Sequence, residues 1–320
     1  MRVLVTGAFG YVGSAVVGAL TAEGHEVRAL TTRRDGAPHP VSVASPSGAV
    51  EVVHGDVRDP EAMRQAVTGV DGVCHLAALT RVREAAERAA EYRDVNEIGT
   101  ATVVAAAAAE AARSGRAVRF ALASSGAVYG APSVQPIPES LDLALTDTHA
   151  YGVTKRAAER VVLDAPLDGR FGAVVLRVFN AAGASVGGRI GDVETILPKA
   201  MAVAAGSQPC LTVNGDGTAV RDFVHVHDVA RAFAAALAYA RPDRRTVLNV
   251  GAVGASVLDI VDAVRTVSGH PVPVEHRPSR GEVPILLADT RRIRDELGWS
   301  PTYDELEAIV ADAWLAKNRD

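Results

Sequence analysis

Tyr151 and Lys155 stand four residues apart in a segment with helical spacing, Ala150–Leu163, so their side chains share one face. A phenol with an ordinary pKa of about 10 is a poor base at neutral pH. An ammonium group beside it favours the phenolate and opens proton exchange with a substrate hydroxyl. Such pairs also arise by chance in helices. Ser124 and Ser125 add weight, because they follow an apolar run at the C-terminal end of an expected fifth strand. In open parallel sheets ligands bind at that edge. A serine hydroxyl there can hydrogen-bond the same oxygen that the tyrosine deprotonates.

A second chemical feature opens the chain. Residues 3–13 read VLVTGAFGYVG, placing Gly7, Gly10 and Gly13 between a strand and a helix. In that context the first glycine permits a sharp turn and the second lets backbone approach a pyrophosphate. The third allows close packing of helix on strand, and the helix N-terminus faces the phosphates. The spacing is G-x-x-G-x-x-G. An acidic residue ending the second strand would bind the ribose of NAD, whereas a basic one would accommodate the extra phosphate of NADP. That strand ends Leu30-Thr31-Thr32-Arg33-Arg34 and offers no carboxylate, so both cofactors stay open.

The elements that must position these groups alternate. Val3–Val5, Val27–Leu30, Glu51–Val53, Val73–Leu76, Val118–Leu122 and Ala173–Val178 read as short buried strands. Val12–Ala22, Pro60–Val67, Asn96–Arg113 and Ala150–Leu163 read as helices between them. This order predicts an α/β fold, a doubly wound parallel sheet of the Rossmann type with helices on both faces. Arg33–Gly48 reads as a long surface loop. After Asn180 the pattern changes and glycines cluster. The expected division is a dinucleotide-binding unit, 1–180, to which 222–251 returns, and a smaller C-terminal α/β substrate-binding unit, 181–221 and 252–320.

With 320 residues the chain exceeds the usual single core. A net charge of −5 with scattered basic residues points away from nucleic acid and anionic membranes. The N-terminus lacks a signal-like apolar run, and the alanine-rich stretch 101–112 carries Glu110, so a soluble cytoplasmic protein is expected. Cys74 and Cys210 read as two reduced thiols. His225 and His227 alternate on an apparent strand, but no third ligand follows at suitable spacing, so no metal site is expected. His75 is expected to line the cofactor pocket, and Trp299 and Trp314 to serve packing.

Taken together, Gly7, Gly10, Gly13, Ser125, Tyr151 and Lys155 resemble the short-chain dehydrogenase/reductase superfamily. Further motifs are similar to its extended branch: HGDVRD (54–59), His75-Leu76-Ala77-Ala78, Asn96 and SSGAVYG (124–130). In the second half LRVFNAAGA (176–184), RDFVHVHDVA (221–230), LNVGAVGASVLDIV (248–261) and ADTRRIRDELGWSP (288–301) are similar to UDP-galactose (UDP-glucose) 4-epimerases.

The resemblance implies that Ser125, Tyr151 and Lys155 are catalytic. It implies cofactor contacts by Gly7, Phe9, Gly10, Tyr11, Val12, Gly13, Thr31, Arg33, Asp56, Val57, Leu76, Ala77, Ala78 and Asn96, as well as by Tyr151 and Lys155. It places Asn180, Arg221, Arg280, Glu282 and Leu286 with Ser125 on a sugar nucleotide, the arginines suiting phosphate oxygens. Leu286 would leave room beside C2 of the sugar. The implied enzyme is an NAD-dependent nucleotide-sugar 4-epimerase, a homodimer acting on a UDP-linked hexose through a 4-keto sugar.

There are departures from the family pattern. Gly126 and Ala127 replace the acids with which dehydratases eliminate water. Val178 replaces a tyrosine, Ala181 a proline, and Thr31 an aspartate. Arg33 and Arg34 motivate a rival, an NADPH-dependent keto-sugar-nucleotide reductase. A non-catalytic cofactor-sensing regulator on the same fold is a rival of another class.

Overall fold

In the first strand Val3 and Val5 pack to one side and Leu4 to the other, all fully buried. The same alternation recurs along the sheet, with Ala121 opposite Phe120 and Leu122, and Val174 and Leu176 opposite Ala173 and Val175. A strand apolar on both faces demands cover on both, so helices must flank it. The computed structural model describes residues 1–33, 50–141, 150–165 and 169–318. Arg34 and nearly all of the expected 33–48 loop lie outside the described residues.

The strands are β1 (Arg2–Thr6), β2 (Glu26–Thr31), β3 (Glu51–His54), β4 (Gly72–His75), β5 (Val118–Ser125), β6 (Phe171–Val178), β7 (Asn180–Ala182), β8 (Leu211–Asn214), β9 (Val220–His225), β10 (Arg245–Val250), β11 (Val253–Ser256), β12 (Val274–Arg277) and β13 (Ile285–Leu286). The helices are α1 (Tyr11–Ala22), α2 (Pro60–Ala66), α3 (Ala89–Arg93), α4 (Gly99–Ser114), α5 (Ala150–Leu163), α6 (Ile196–Ala204), α7 (Val226–Tyr239), α8 (Val257–Ser268), α9 (Arg291–Leu297) and α10 (Leu306–Lys317).

Seven strands form one parallel sheet in the order β10-β6-β5-β4-β1-β2-β3. Strand order reverses between β1 and β4, which opens a crevice at their C-terminal ends. This is the doubly wound sheet read from the sequence. Apolar residues of α1 and α7 fill one face, and those of α2, α4 and α5 the other. A third core lies among α6, α8, α10 and two small sheets, one of β11, β9, β13 and β7 and one of β12 and β8.

Two boundaries differ from expectation. Of the segment 222–251, α7 and β10 reach the large sheet. The strand Val220–His225 instead pairs with β7, β11 and β13, so His225 and His227 do not alternate on one strand. His225 ends β9 and caps α7, and the two rings stack at 5.2 Å. The helix expected from Asn96 starts at Gly99, preceded by a wide π turn over Asp94–Ile98. Such a turn pushes a side chain inward, here Asn96. Cys74 is buried in the large sheet, Cys210 precedes β8, and neither is in a disulfide.

The C-terminal segment is pinned to α7 by one carboxylate. Fully buried Asp228 accepts hydrogen bonds from the Thr302 and Tyr303 amides at 2.9–3.0 Å and from Arg231 at 2.6 Å. Its carbonyl receives the indole N–H of buried Trp299 at 3.0 Å. Asp228→Ala leaves these amides without their acceptor, a cost of about 2–3 kcal/mol. Urea unfolding should show a lower midpoint at unchanged m. An unchanged midpoint would mean that the segment is held elsewhere.

Candidate active site

The turn after β1 is set by backbone contact. Gly7 takes a φ of +67°, and a Cβ there would lie 2.8 Å from the Ala77 amide nitrogen. At Gly13 a Cβ would meet the Gly7 carbonyl oxygen at 2.0 Å. Only glycine permits both approaches. Thr6 closes the turn from the other side, since its hydroxyl accepts the Leu76 and Ala77 amides, each at 3.1 Å. Gly10 is the N-cap of α1 and makes no side-chain cap, which leaves the first-turn N–H groups to a ligand. This Cβ-free, donor-rich cradle fits the pyrophosphate of a dinucleotide.

The crevice widens into a cavity of about 860 Å³. Its walls include Gly7, Phe9, Gly10, Tyr11, Val12, Gly13, Thr31, Arg33, Asp56, Val57, Leu76, Ala77 and Ala78 at one end and Ser125, Tyr151 and Lys155 at the other. Val178, Phe179, Ala181 and Asp192 also line it. The Asp56 carboxylate is held by Arg58 at 2.6 Å, which keeps it below the usual carboxylate range. The Arg33 amide donates to Thr31 Oγ1 at 3.2 Å.

Two residues expected on the cofactor are elsewhere. Asn96 is buried, with both amide protons engaged: Nδ2 donates to the Leu79 carbonyl and to Thr154 Oγ1, each at 3.0 Å, while Oδ1 accepts the Leu79 amide. It ties the exit of β4 to α5 and is absent from the cavity wall. His75 turns away to Thr6 Oγ1 at 2.7 Å and Thr100 Oγ1 at 3.0 Å. Thr100 gives its own proton to the Asn96 carbonyl, so His75 Nε2 is the donor and Nδ1 accepts from Thr6. Burial, then the Lys155 charge, lowers this imidazole to about 3 and keeps it neutral.

The catalytic candidates converge from two elements. Ser125 ends β5, and Tyr151 and Lys155 occupy one face of α5, both buried. Ser125 hydrogen-bonds Tyr151. The expected lowering of the phenol by Lys155 is not found. Burial pushes Tyr151 up to about 12 against the pull of the Ser125 hydrogen bond, with Tyr92 adding to the rise. Burial likewise lowers Lys155 to about 8, with Glu159 opposing. Desolvation disfavours either charge alone.

A second cavity of about 490 Å³ lies over β8 and β9. Arg221 and Glu282 line it with Asn214, Gly215 and Ser279. The Arg221 guanidinium donates to the Val220 and Val283 carbonyls at 2.8 Å, and Glu282 accepts from Ser279 Oγ at 2.6 Å and from the Arg280 amide at 2.9 Å. Arg280 is exposed and Asn180 donates to the Asp222 carbonyl at 2.8 Å; neither lines either of these two cavities. Leu286 stands one layer back, packed with Val128, Tyr129 and Ile137 in the cluster that includes Phe179. Sequence reasoning missed the bridges between the halves, Arg81 to Asp192 at 3.1 Å and Arg83 to Glu194 at 3.7 Å. Charged loop residues carry no periodicity that could have announced them.

A glycine turn at a strand-order reversal, opening on a serine, a tyrosine and a lysine, defines a dinucleotide-binding enzyme of the Rossmann class. Residues 3–251 match the NAD dependent epimerase/dehydratase family, and the chain belongs to it. It is 35% identical to a UDP-glucose 4-epimerase of Corynebacterium glutamicum over 98% of this chain and 95% of that one. Among solved structures it is similar to a UDP-glucose 4-epimerase from Stenotrophomonas maltophila with bound NAD and formylated UDP-arabinopyranose. There the TM-score is 0.88 at 31% identity, over 99% of this chain and 98% of that one. A UDP-glucose 4-epimerase from Bifidobacterium longum in complex with NAD+ and UDP gives 0.87 at 29% identity, over 99% of both.

The chain has three lysines, Lys155, Lys199 and Lys317, which makes the Lys155 shift directly measurable. Reductive methylation with labelled formaldehyde followed by carbon-13 NMR should show one lysine resonance titrating near pH 8, told from the N-terminal amine, which is also labelled, by its absence in Lys155→Arg. Its charge is present below that pH and lost above it. Three resonances all titrating above pH 10 would contradict the desolvated lysine.

Proposed function

We propose that the protein is a UDP-sugar 4-epimerase that interconverts UDP-glucose and UDP-galactose with NAD as its resident cofactor. The observation that carries this reading is the convergence of Ser125, Tyr151 and Lys155 on one end of the large cavity, with the glycine cradle at the other. Family membership and the NAD and UDP-sugar ligands in the similar structures support it. Elimination of water finds no acid at 126 or 127. At Gly126 a Cβ would already touch the Phe179 ring at 3.1 Å, so the turn has little room for a carboxylate side chain.

The nicotinamide, when bound, supplies a reversible hydride acceptor at C4 of the sugar. Gly7, Gly10, Gly13 and the first turn of α1 hold its pyrophosphate, and Asp56 faces the adenosine half. Tyr151 exchanges the proton of the C4 hydroxyl, and Ser125 hydrogen-bonds the same oxygen. Burial opposes the phenolate, so Tyr151 can accept that proton only with a cation nearby, and Lys155 is the buried amine on the same face of α5 that can supply it. Arg221 and Glu282 hold the nucleotide half, and Arg280 and Asn180 approach it as the loops settle around it. The sugar half meets Val178 and Phe179, side chains without hydrogen-bonding groups, so the ketone can turn. Leu286 acts on sugar selectivity only through Phe179.

We further propose a homodimer through α5 and the π turn that leads into α4, where Val153 and Ile98 expose 42% and 45% of their surface. Among the described residues no helix is long and apolar enough to cross a membrane. The cytoplasm is the compartment proposed for the enzyme.

Purified protein given UDP-galactose should form UDP-glucose without consuming added NADH or NADPH. Tyr151→Phe should reduce turnover at least ~10²-fold while leaving folding and NAD content intact. Stoichiometric oxidation of NADPH with no epimer formed would replace this reading with the ketoreductase. Binding of cofactor with no turnover of any UDP-hexose would favour the regulator.

A further inference from the structure

The buried face of α5 does not end at Lys155. Glu159 lies one turn further along the same face and is only 2% exposed. It meets buried Arg177 of β6 in a two-pronged pair, Nε to Oε1 at 2.9 Å and Nη2 to Oε2 at 2.8 Å. Its Oε1 also accepts the hydroxyl of Ser124. Ser124 and Arg177 are direct neighbours in the sheet, and the next pair in register is Ser125 with Val178. One carboxylate therefore grips both strands one residue short of the point where Ser125 meets Tyr151.

The anchor is itself braced. Arg177 donates to the Tyr129 hydroxyl at 2.9 Å and lies over that ring at 4.8 Å. Tyr129 in turn donates to Asn249 of β10 at 2.7 Å, and the Asn249 amide donates to Glu139 at 2.9 Å. Burying an arginine and a glutamate costs more desolvation than an apolar pair of similar size, so such pairs are poor devices for stability. A bidentate pair does fix direction and distance. Apolar contacts alone would let a helix slide or rotate on the sheet by fractions of an ångström. A misplacement of about 1 Å at a reacting group can cost ~10²-fold in rate.

We propose that Glu159 is a positioning residue: through Ser124 and Arg177 it locks the register of α5 on β5 and β6 and so sets the Ser125–Tyr151 contact. The proposal deepens the epimerase reading and rests on it for the direction of its kinetic effect. Glu159 touches neither cavity, so its loss acts on the rate of the chemical step and leaves the binding surfaces in place.

Three proteins test it: wild type, Ser124→Ala, and the paired variant Glu159→Leu/Arg177→Met, which removes both charges together. The paired variant is expected to keep a wild-type Tm and NAD content, with kcat lowered at least ~10-fold and KM for UDP-galactose within about twofold. Ser124→Ala, which removes one hydroxyl from Glu159 and from the wall of the large cavity, is expected to lower kcat by about threefold, with the Tyr151 resonance separating a shifted helix from a lost wall contact. Carbon-13 NMR of ring-labelled tyrosine gives a readout independent of turnover. The Tyr151 Cζ resonance, identified by its absence in Tyr151→Phe, should shift in both variants.

Wild-type kcat in a folded paired variant, or an unmoved Tyr151 resonance, overturns the proposal. So does a loss shared equally by kcat and KM. If the paired variant fails to fold, Ser124→Ala decides by its kcat and its Tyr151 resonance. An inactive wild type sinks the epimerase reading alone, and the Tyr151 resonance then still decides the positioning role.

Discussion

Backbone meets backbone where β1 ends. The carbonyl of Gly7 lies against α1 at Gly13, and its Cα lies against the peptide joining Leu76 to Ala77, with no space for a side chain at either contact. This packing fixes where α1 begins and how far β4 stands from β1. The crevice exists because those two parallel strands part there, one feeding a helix on each face of the sheet. Thr6 and His75 extend the constraint into the interior. A chain of hydroxyl, imidazole and hydroxyl leads from the turn to Asn96, and from Asn96 to Thr154 on α5. The cofactor cradle and the helix bearing Tyr151 are thus joined by polar contacts that have one satisfactory arrangement.

Those contacts bear on the electrostatics of the site. Tyr151 and Lys155 are drawn toward their neutral forms by the same burial that excludes water from the reacting atoms. Proton transfer in such a dry, prearranged site meets little resistance from solvent reorganisation. Neutral His75 behind them adds no competing charge. The apolar wall of Val178 and Phe179 offers the sugar no fixed hydrogen-bond partner, in contrast with the polar residues around Arg221 in the second cavity.

Much of this was legible from the chain. Apolar runs of strand length alternating with helical spacing gave the sheet, and the helix Ala150–Leu163 matches residue for residue. Tyr151 and Lys155 could be read because helical spacing alone puts them together, and Ser125 because a strand end in a parallel sheet has a known role. His75 was expected in the cofactor pocket and faces the interior instead, since a residue at a strand end can face crevice or helix. Its direction follows from Thr6 and Thr100, 69 and 25 residues away. Asn96 was assigned to the cofactor, though its side-chain amide is consumed by Leu79 and Thr154, from within a π turn that no spacing rule reveals. Glu159 and Arg177 sit in a helix and a strand whose patterns they interrupt, so their pairing emerges only from the packing of one on the other. The leading electrostatic effect was also misjudged, because burial depth is a property of the assembled core.

Two elements far apart in the chain, α1 and α10, hold the same turn beside the cradle. Tyr11 donates to the Gly183 carbonyl at 2.7 Å, and the neighbouring Ala184 amide is held by Asp312 of α10 at 2.7 Å. That carboxylate also pairs with His225 at 2.8 Å. During synthesis, then, the large sheet can be assembled from strands that end at Val250, but the loop that Tyr11 grips waits for Asp312, which follows every strand in the chain. The sheet is therefore expected to form while this corner is still open, and docking of α10 is the event that completes it.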